Sequence, residues 1–105
     1  MEKYSVSKEA QNDLKEIQHY TMTNWGKQQA KQYLIELTAN FEMLAHSPKM
    51  ERIREEIHEG LRSFKARHHI VFYREGPNGI AIARILHASM DIRRHLEKAP
   101  TDTKK

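Results

Sequence analysis

A chain of 105 residues with a formal net charge of +4 and no cysteine has room for one modest core and no second domain, and it can use neither disulfides nor a thiolate zinc site. Its opening, Met1-Glu2-Lys3-Tyr4-Ser5, is polar, and no apolar run approaches the roughly 20 residues that span a bilayer, so a soluble cytoplasmic protein without a membrane partner is expected. Met1 to Glu59 carries 8 Lys/Arg against 10 Asp/Glu and Gly60 to Lys105 carries 10 against 4, a bias that draws acidic partners to the second half or merely solvates it: nucleic acid, a nucleic-acid enzyme or an acidic peptide.

Lys3 to Val6 reads as a short first strand. Ser7 then stands at an N-cap position with Glu9 in the first turn behind it, which marks a helix start. This helix is predicted to run to about Thr23, with Ala10, Leu14, Ile17 and Thr21 on one stripe and Lys8, Asp13, Lys15 and Glu16 on the wet side. Asn24-Trp25-Gly26 breaks the pattern. Ala30, Tyr33, Leu34, Leu37, Phe41, Leu44 and Ala45 then recur at steps of three, four and one, the strongest helical signal in the chain. It stops at Ser47-Pro48, because proline disfavours α geometry in the residue before it. So short a connection predicts an antiparallel helical hairpin. Its charge is mixed and offers no basic recognition face, which speaks against a DNA-reading helix-turn-helix.

Lys49 to Glu59 is dense in charge and reads as a surface loop or one ragged helical turn. Leu61 to Arg67, His69 to Arg74 and Ile80 to His87 are rich in β-branched and aromatic residues, with Glu75-Gly76-Pro77-Asn78-Gly79 as a hairpin loop. They predict an antiparallel meander. Ile80-Ala81-Ile82-Ala83 is apolar on both faces and predicts a central strand covered on both sides. Ser89 to about Glu97 reads as a short last helix, and a polar tail from about residue 98 to Lys105 should fray. The predicted fold is α+β: a helical hairpin packed on a small antiparallel sheet, in the order β-α-α-β-β-β with a short C-terminal helix.

Seven histidines in so small a chain invite a metal, but their spacing speaks against one. His68 and His69 are adjacent on a predicted strand and should point to opposite faces. His87, Asp91 and His95 would align only on a helix that began at His87. No Gly-rich phosphate loop, cysteine nucleophile or Gly-flanked serine is present, so no metal and no cofactor is expected. One enzymatic possibility remains, acid–base cleavage of RNA by His87 with Arg62 and Arg84 holding the phosphate; Arg67 is a fourth basic residue of the right type in the same half.

Gly60-Leu61-Arg62-Ser63-Phe64, then His68-His69-Ile70-Val71-Phe72-Tyr73-Arg74, then Arg84-Ile85-Leu86-His87-Ala88-Ser89-Met90-Asp91 resemble, in order and spacing, the ParE branch of the RelE/ParE toxin superfamily. Ala10, Asp13, Leu14, Ile17, Trp25 and Gly26 are similar to that branch's opening helix, which ends in Trp-Gly. Leu61 departs from the tyrosine frequent there. The resemblance spans nearly the whole chain and implies the same fold. It further implies a toxin that inhibits or poisons DNA gyrase, is neutralised by a ParD-like antitoxin, and meets DNA only through gyrase or antitoxin. RelE relatives instead cut messenger RNA on the ribosome with a basic cluster, here reduced to Lys65, and a residue near the C-terminus; His87 falls near a position used that way.

With no convincing acid–base set, the basic sheet and C-terminal segment are expected to grip the target through Arg62, Arg84, His87, Arg93 and Arg94. In the motif around Arg84, Ile85 and Leu86 are read as core residues. Ile35 and Met43 fall off the main stripe of the second helix; they either pack on the first helix or form an antitoxin-binding surface.

Overall fold

The computed structural model describes residues 4–48, 52–53, 59–77 and 79–89. Strand β1 (Tyr4–Val6) leads into helix α1 (Lys8–Trp25) and helix α2 (Lys27–His46), followed by strands β2 (Arg52–Ile53), β3 (Arg62–Ala66), β4 (His69–Gly76) and β5 (Gly79–His87). The expected order is present, with one short strand added. The predicted last helix, apart from Ser89, lies outside the described residues, as does the tail.

Ser7 starts α1 as its sequence suggests. Its Oγ accepts from the Ala10 N–H at 3.0 Å and donates to the Ala83 carbonyl at 2.8 Å, so the cap also ties the helix to β5. The helix continues two residues beyond the predicted Thr23, and the break falls on Gly26 alone. Its φ of 96° and ψ of 165° belong to a region that side-chain-bearing residues avoid. Its N–H bonds Met22 and its carbonyl takes the Ala30 N–H, each at 3.1 Å, so one residue ends α1 and opens α2. In α2 the predicted stripe is the packed one: Ala30, Leu37, Phe41, Leu44 and Ala45 are buried, and Tyr33 and Leu34 half-buried.

The strands form one sheet in the order β1-β5-β4-β3-β2. From β5 to β2 all neighbours are antiparallel, but β1 lies parallel to β5, with Tyr4 opposite Ile80 and Val6 opposite Ile82. The sheet is therefore mixed where a purely antiparallel one was expected. A parallel neighbour needs a long crossover, and the helical hairpin begins one. Arg52–Ile53 pairs with Arg62 and Ser63, which corrects the loop-or-helix reading at those two residues.

Both helices pack on one face of the sheet. Ala10, Ile17, Leu37, Phe41 and Leu44 meet Val71, Tyr73, Ile80, Ile82 and Ile85 there, while Leu61, Phe72 and Leu86 form a second, smaller buried cluster. Three consecutive residues, Val71, Phe72 and Tyr73, are thus buried, so β4 is the strand covered on both sides. In β5, between β1 and β4, Ile80 and Ile82 are buried but Ala81 is exposed, which corrects the two-sided expectation there. Phe72 pairs with Arg84 and Tyr73 with Ile82, leaving Ala83 as an extra residue. This bulge inverts the alternation, so that Ile85 returns to the helix side at an odd spacing from Ile82. Among the described residues no helix is long and apolar enough to cross a membrane.

Candidate functional site

The bulge determines what happens to Arg84. Just after it, the Ile85 N–H turns toward α1 and meets Asp13 Oδ2 at 2.9 Å. Arg84 closes on the same carboxylate, Nε to Oδ2 at 2.8 Å and Nη2 to Oδ1 at 3.0 Å. Asp13, expected on the wet side of its helix, is only 8% exposed. Three hydrogen bonds, two of them from the cationic Arg84 guanidinium, offset the desolvation of its charge. In return, the hydrogen bond to Asp13 raises the Arg84 pKa above the ordinary range, against the opposing effect of burial. Sequence held a signal for this. Asp13 lies three residues after Ala10 and four before Ile17, on the buried stripe itself.

The strand ends build a second arrangement. His87 closes β5, and its Nδ1 accepts from the Ser89 N–H at 3.1 Å and lies 2.7 Å from Ser89 Oγ. A backbone N–H can only donate, so the neutral ring carries its proton on Nε2. His69 faces His87 across the ladder with ring centroids 5.2 Å apart, and the His68 ring lies nearly parallel to that of His87 at 6.5 Å. Tyr33 Oη stands 2.7 Å from His69 Nδ1. Burial, reinforced by repulsion from His87 and His68, lowers the His69 pKa to about 4, and burial raises that of Tyr33.

The three histidines and Tyr33 line a cavity of about 550 Å³ between the hairpin tip and the sheet end, together with Tyr20, Trp25 and Arg67. The predicted opposition of His68 and His69 does not hold, because His68 sits in the β3–β4 turn and both rings line this cavity. Among the described residues no three His, Asp or Glu side chains converge as metal ligands.

The expected site residues are dispersed over the molecule. The Arg62 side chain is only 15% exposed and its Nε lies 3.4 Å from the Glu75 carboxylate. Arg84 is held by Asp13, and His87 lies at the cavity; Arg93 and Arg94 lie outside the described residues. On α2, Ile35 and Met43 are 53% and 38% exposed. Asp13, Tyr20, Trp25 and Tyr33 were not among the candidates. For the last three only the folded chain shows the reason, since the hairpin brings them to the sheet end.

A solved chain described as "Chromosomal ParDE TA system from P. aeruginosa" superposes with a TM-score of 0.72 at 18% identity, covering 83% of this chain and 96% of that one, and shows that the two share their fold. The chain also matches, over residues 4–92, the family model described as "ParE toxin of type II toxin-antitoxin system, parDE". It is 41% identical over 96 residues to Toxin ParE1 of Caulobacter vibrioides, covering 91% of this chain and 99% of that one. Against Toxin ParE1 of Mycobacterium tuberculosis it is 40% identical over 95 residues, covering 90% and 97%. Toxin ParE of Escherichia coli is 33% identical over 94 residues, covering 88% and 90%. The chain belongs to the ParE toxin family of type II toxin–antitoxin systems.

Proposed function

We propose that this toxin acts in the cytoplasm by binding DNA gyrase and trapping it with DNA cleaved, and that a ParD-like antitoxin neutralises it. Membership of the ParE family supports gyrase as the target. The observation that favours binding over RNA cleavage is the state of the acid–base set. Arg62 and Arg84 are both engaged with carboxylates, and the His87 nitrogen that could accept a proton, Nδ1, already takes the Ser89 N–H. On this reading no residue of the chain is catalytic; His87, Arg93 and Arg94 are the proposed contacts to the target, and Arg62 and Arg84, paired with Glu75 and Asp13, hold together the half that carries His87.

The ParDE description of the solved neighbour supports an antitoxin partner. Ile35 and Met43 supply an exposed apolar stretch of α2 for it. An antitoxin segment that orders on this face loses conformational entropy as it binds and therefore needs apolar area of this kind.

Two assays side by side test the target. Purified protein should block supercoiling by gyrase and leave transcripts intact in a translation extract. Full gyrase activity at saturating toxin, with transcripts cut, would replace this reading with ribosome-dependent RNA cleavage.

A further inference from the structure

We propose that the cavity between the hairpin tip and the sheet end is a binding site for one unpaired nucleotide of a single-stranded nucleic acid, with its base on Trp25 and Tyr20 and its phosphate at Arg67 and His68. This departs from the expectation that the chain meets DNA only through gyrase or antitoxin, and it does not depend on gyrase being the target.

The first observation is exposure. Trp25 at 67% and Tyr20 at 61% are the two most exposed large apolar side chains among the described residues, and both line this cavity. Aromatic faces left in water are the platforms on which unpaired bases stack. The cavity's 550 Å³ falls in the range of ligand pockets, roughly 300–1,000 Å³.

The second observation is independent and concerns backbone. Ala66 pairs with His69, so Arg67 and His68 form a two-residue hairpin turn, and Arg67 has a φ of 56°. The first position of such a turn with positive φ normally falls to glycine. A side chain is kept here against the preference of its own backbone, and it reaches the cavity mouth. Its Nε makes an exposed ion pair with Glu36 at 3.2 Å, a weak contact. The terminal amino groups of Arg67 and the ring nitrogens of His68 have no hydrogen-bond partner among the described residues. The Arg67 amino groups and the protonated ring nitrogen of His68 are donors placed for an anion.

The chemistry of the remaining lining distinguishes a nucleotide from an acidic peptide. A carboxylate would satisfy Arg67 and leave both rings in water, whereas a nucleotide supplies a planar face for the rings and an anion for the guanidinium. The Gln29 amide and the Nε2–H of His87 add donors for a base edge. Duplex bases are stacked and paired, so only an unpaired base can enter. DNA and RNA share this chemistry.

Trp25 is the only tryptophan of the chain, so its fluorescence reads the site directly. Titration of the intact protein with single-stranded oligothymidylate and oligouridylate of about eight nucleotides should quench it, and the duplex form of the DNA should not. The Tyr20→Leu and His68→Ala variants should each weaken binding by about 5- to 150-fold, the range that loss of one stacking or anion contact spans. Arg67→Gly separates binding from folding: the glycine suits the turn, so this variant should melt no lower than the parent and still bind more weakly. DNA and RNA that quench alike place recognition in base and phosphate, and a preference for one assigns the source. No quenching at millimolar oligonucleotide, equal quenching by duplex or by polyglutamate, or unchanged affinity in Arg67→Gly would each overturn the proposal. None of these readouts involves gyrase.

Discussion

Arg84 and Asp13 meet through two parallel hydrogen bonds across 71 positions of sequence, and the Ile85 N–H shares the same carboxylate. The arrangement joins the first helix to the last described strand at its bulge. Removing one partner leaves the other desolvated and unpaired. Asp13→Ala should therefore lower stability by about 3 kcal/mol, read from the urea midpoint. The double variant Asp13→Ala/Arg84→Ala should lose less than the sum of the two single variants. Strict additivity would show that the pair is not energetically coupled.

Much of this fold was legible before the structure. The stripe of α2 and the Ser7 cap gave the hairpin, and the β-branched runs gave the three main strands. The partner of β1 was not legible, because a three-residue edge strand carries no mark of direction or neighbour. The bulge at Ala83 was equally silent, since Ile80 to Ile85 is too apolar for an inverted alternation to show. The place of Asp13 on the buried stripe of its helix was visible, but the partners that make its burial tolerable were not. An acidic residue on a helix reads as solvated until a buried N–H appears opposite it, and that N–H belongs to Ile85, 72 positions away.

The histidine end of the sheet should make folding sensitive to acid. His69 has its pKa lowered to about 4 by burial and by its histidine neighbours, whereas in the unfolded chain it returns to about 6.5. The unfolded state then binds the proton first. The stabilisation is complete above about pH 6.5 and is lost as pH falls toward 4. Solvent screening at a ring that is only half-buried holds the effect to about 1–2 kcal/mol. Thermal melts at pH 7 and pH 5 should show this loss, and His69→Gln should remove it. An identical pH slope in the variant would assign the sensitivity to other groups.

At Gly26 the cost of a side chain should be conformational alone. A Cβ there meets nothing within 4 Å, yet φ is 96°. Gly26→Ala should lower stability by about 1–3 kcal/mol and leave the helical circular dichroism of the native state unchanged. A variant as stable as the parent would mean that the junction relaxes to an ordinary geometry.

Ile35 and Met43 separate folding from partner binding. Because both are exposed on α2, Ile35→Asp and Met43→Asp should leave the protein folded and cost about 1 kcal/mol, the helix propensity and dipole penalty of an aspartate there. Each should nevertheless weaken neutralisation by the antitoxin, measured as growth on co-expression and as affinity in solution. A folded variant neutralised as well as the parent would place the antitoxin elsewhere.

On the proposed function, this toxin works by gripping gyrase on its DNA. The most direct measurement is the amount of plasmid that purified gyrase leaves covalently cleaved as the toxin is titrated in. Linear plasmid should accumulate with toxin at low salt and decline as salt screens the basic half of the chain. Supercoiling that proceeds unimpeded, with no cleaved plasmid at any toxin concentration or salt, would contradict the account.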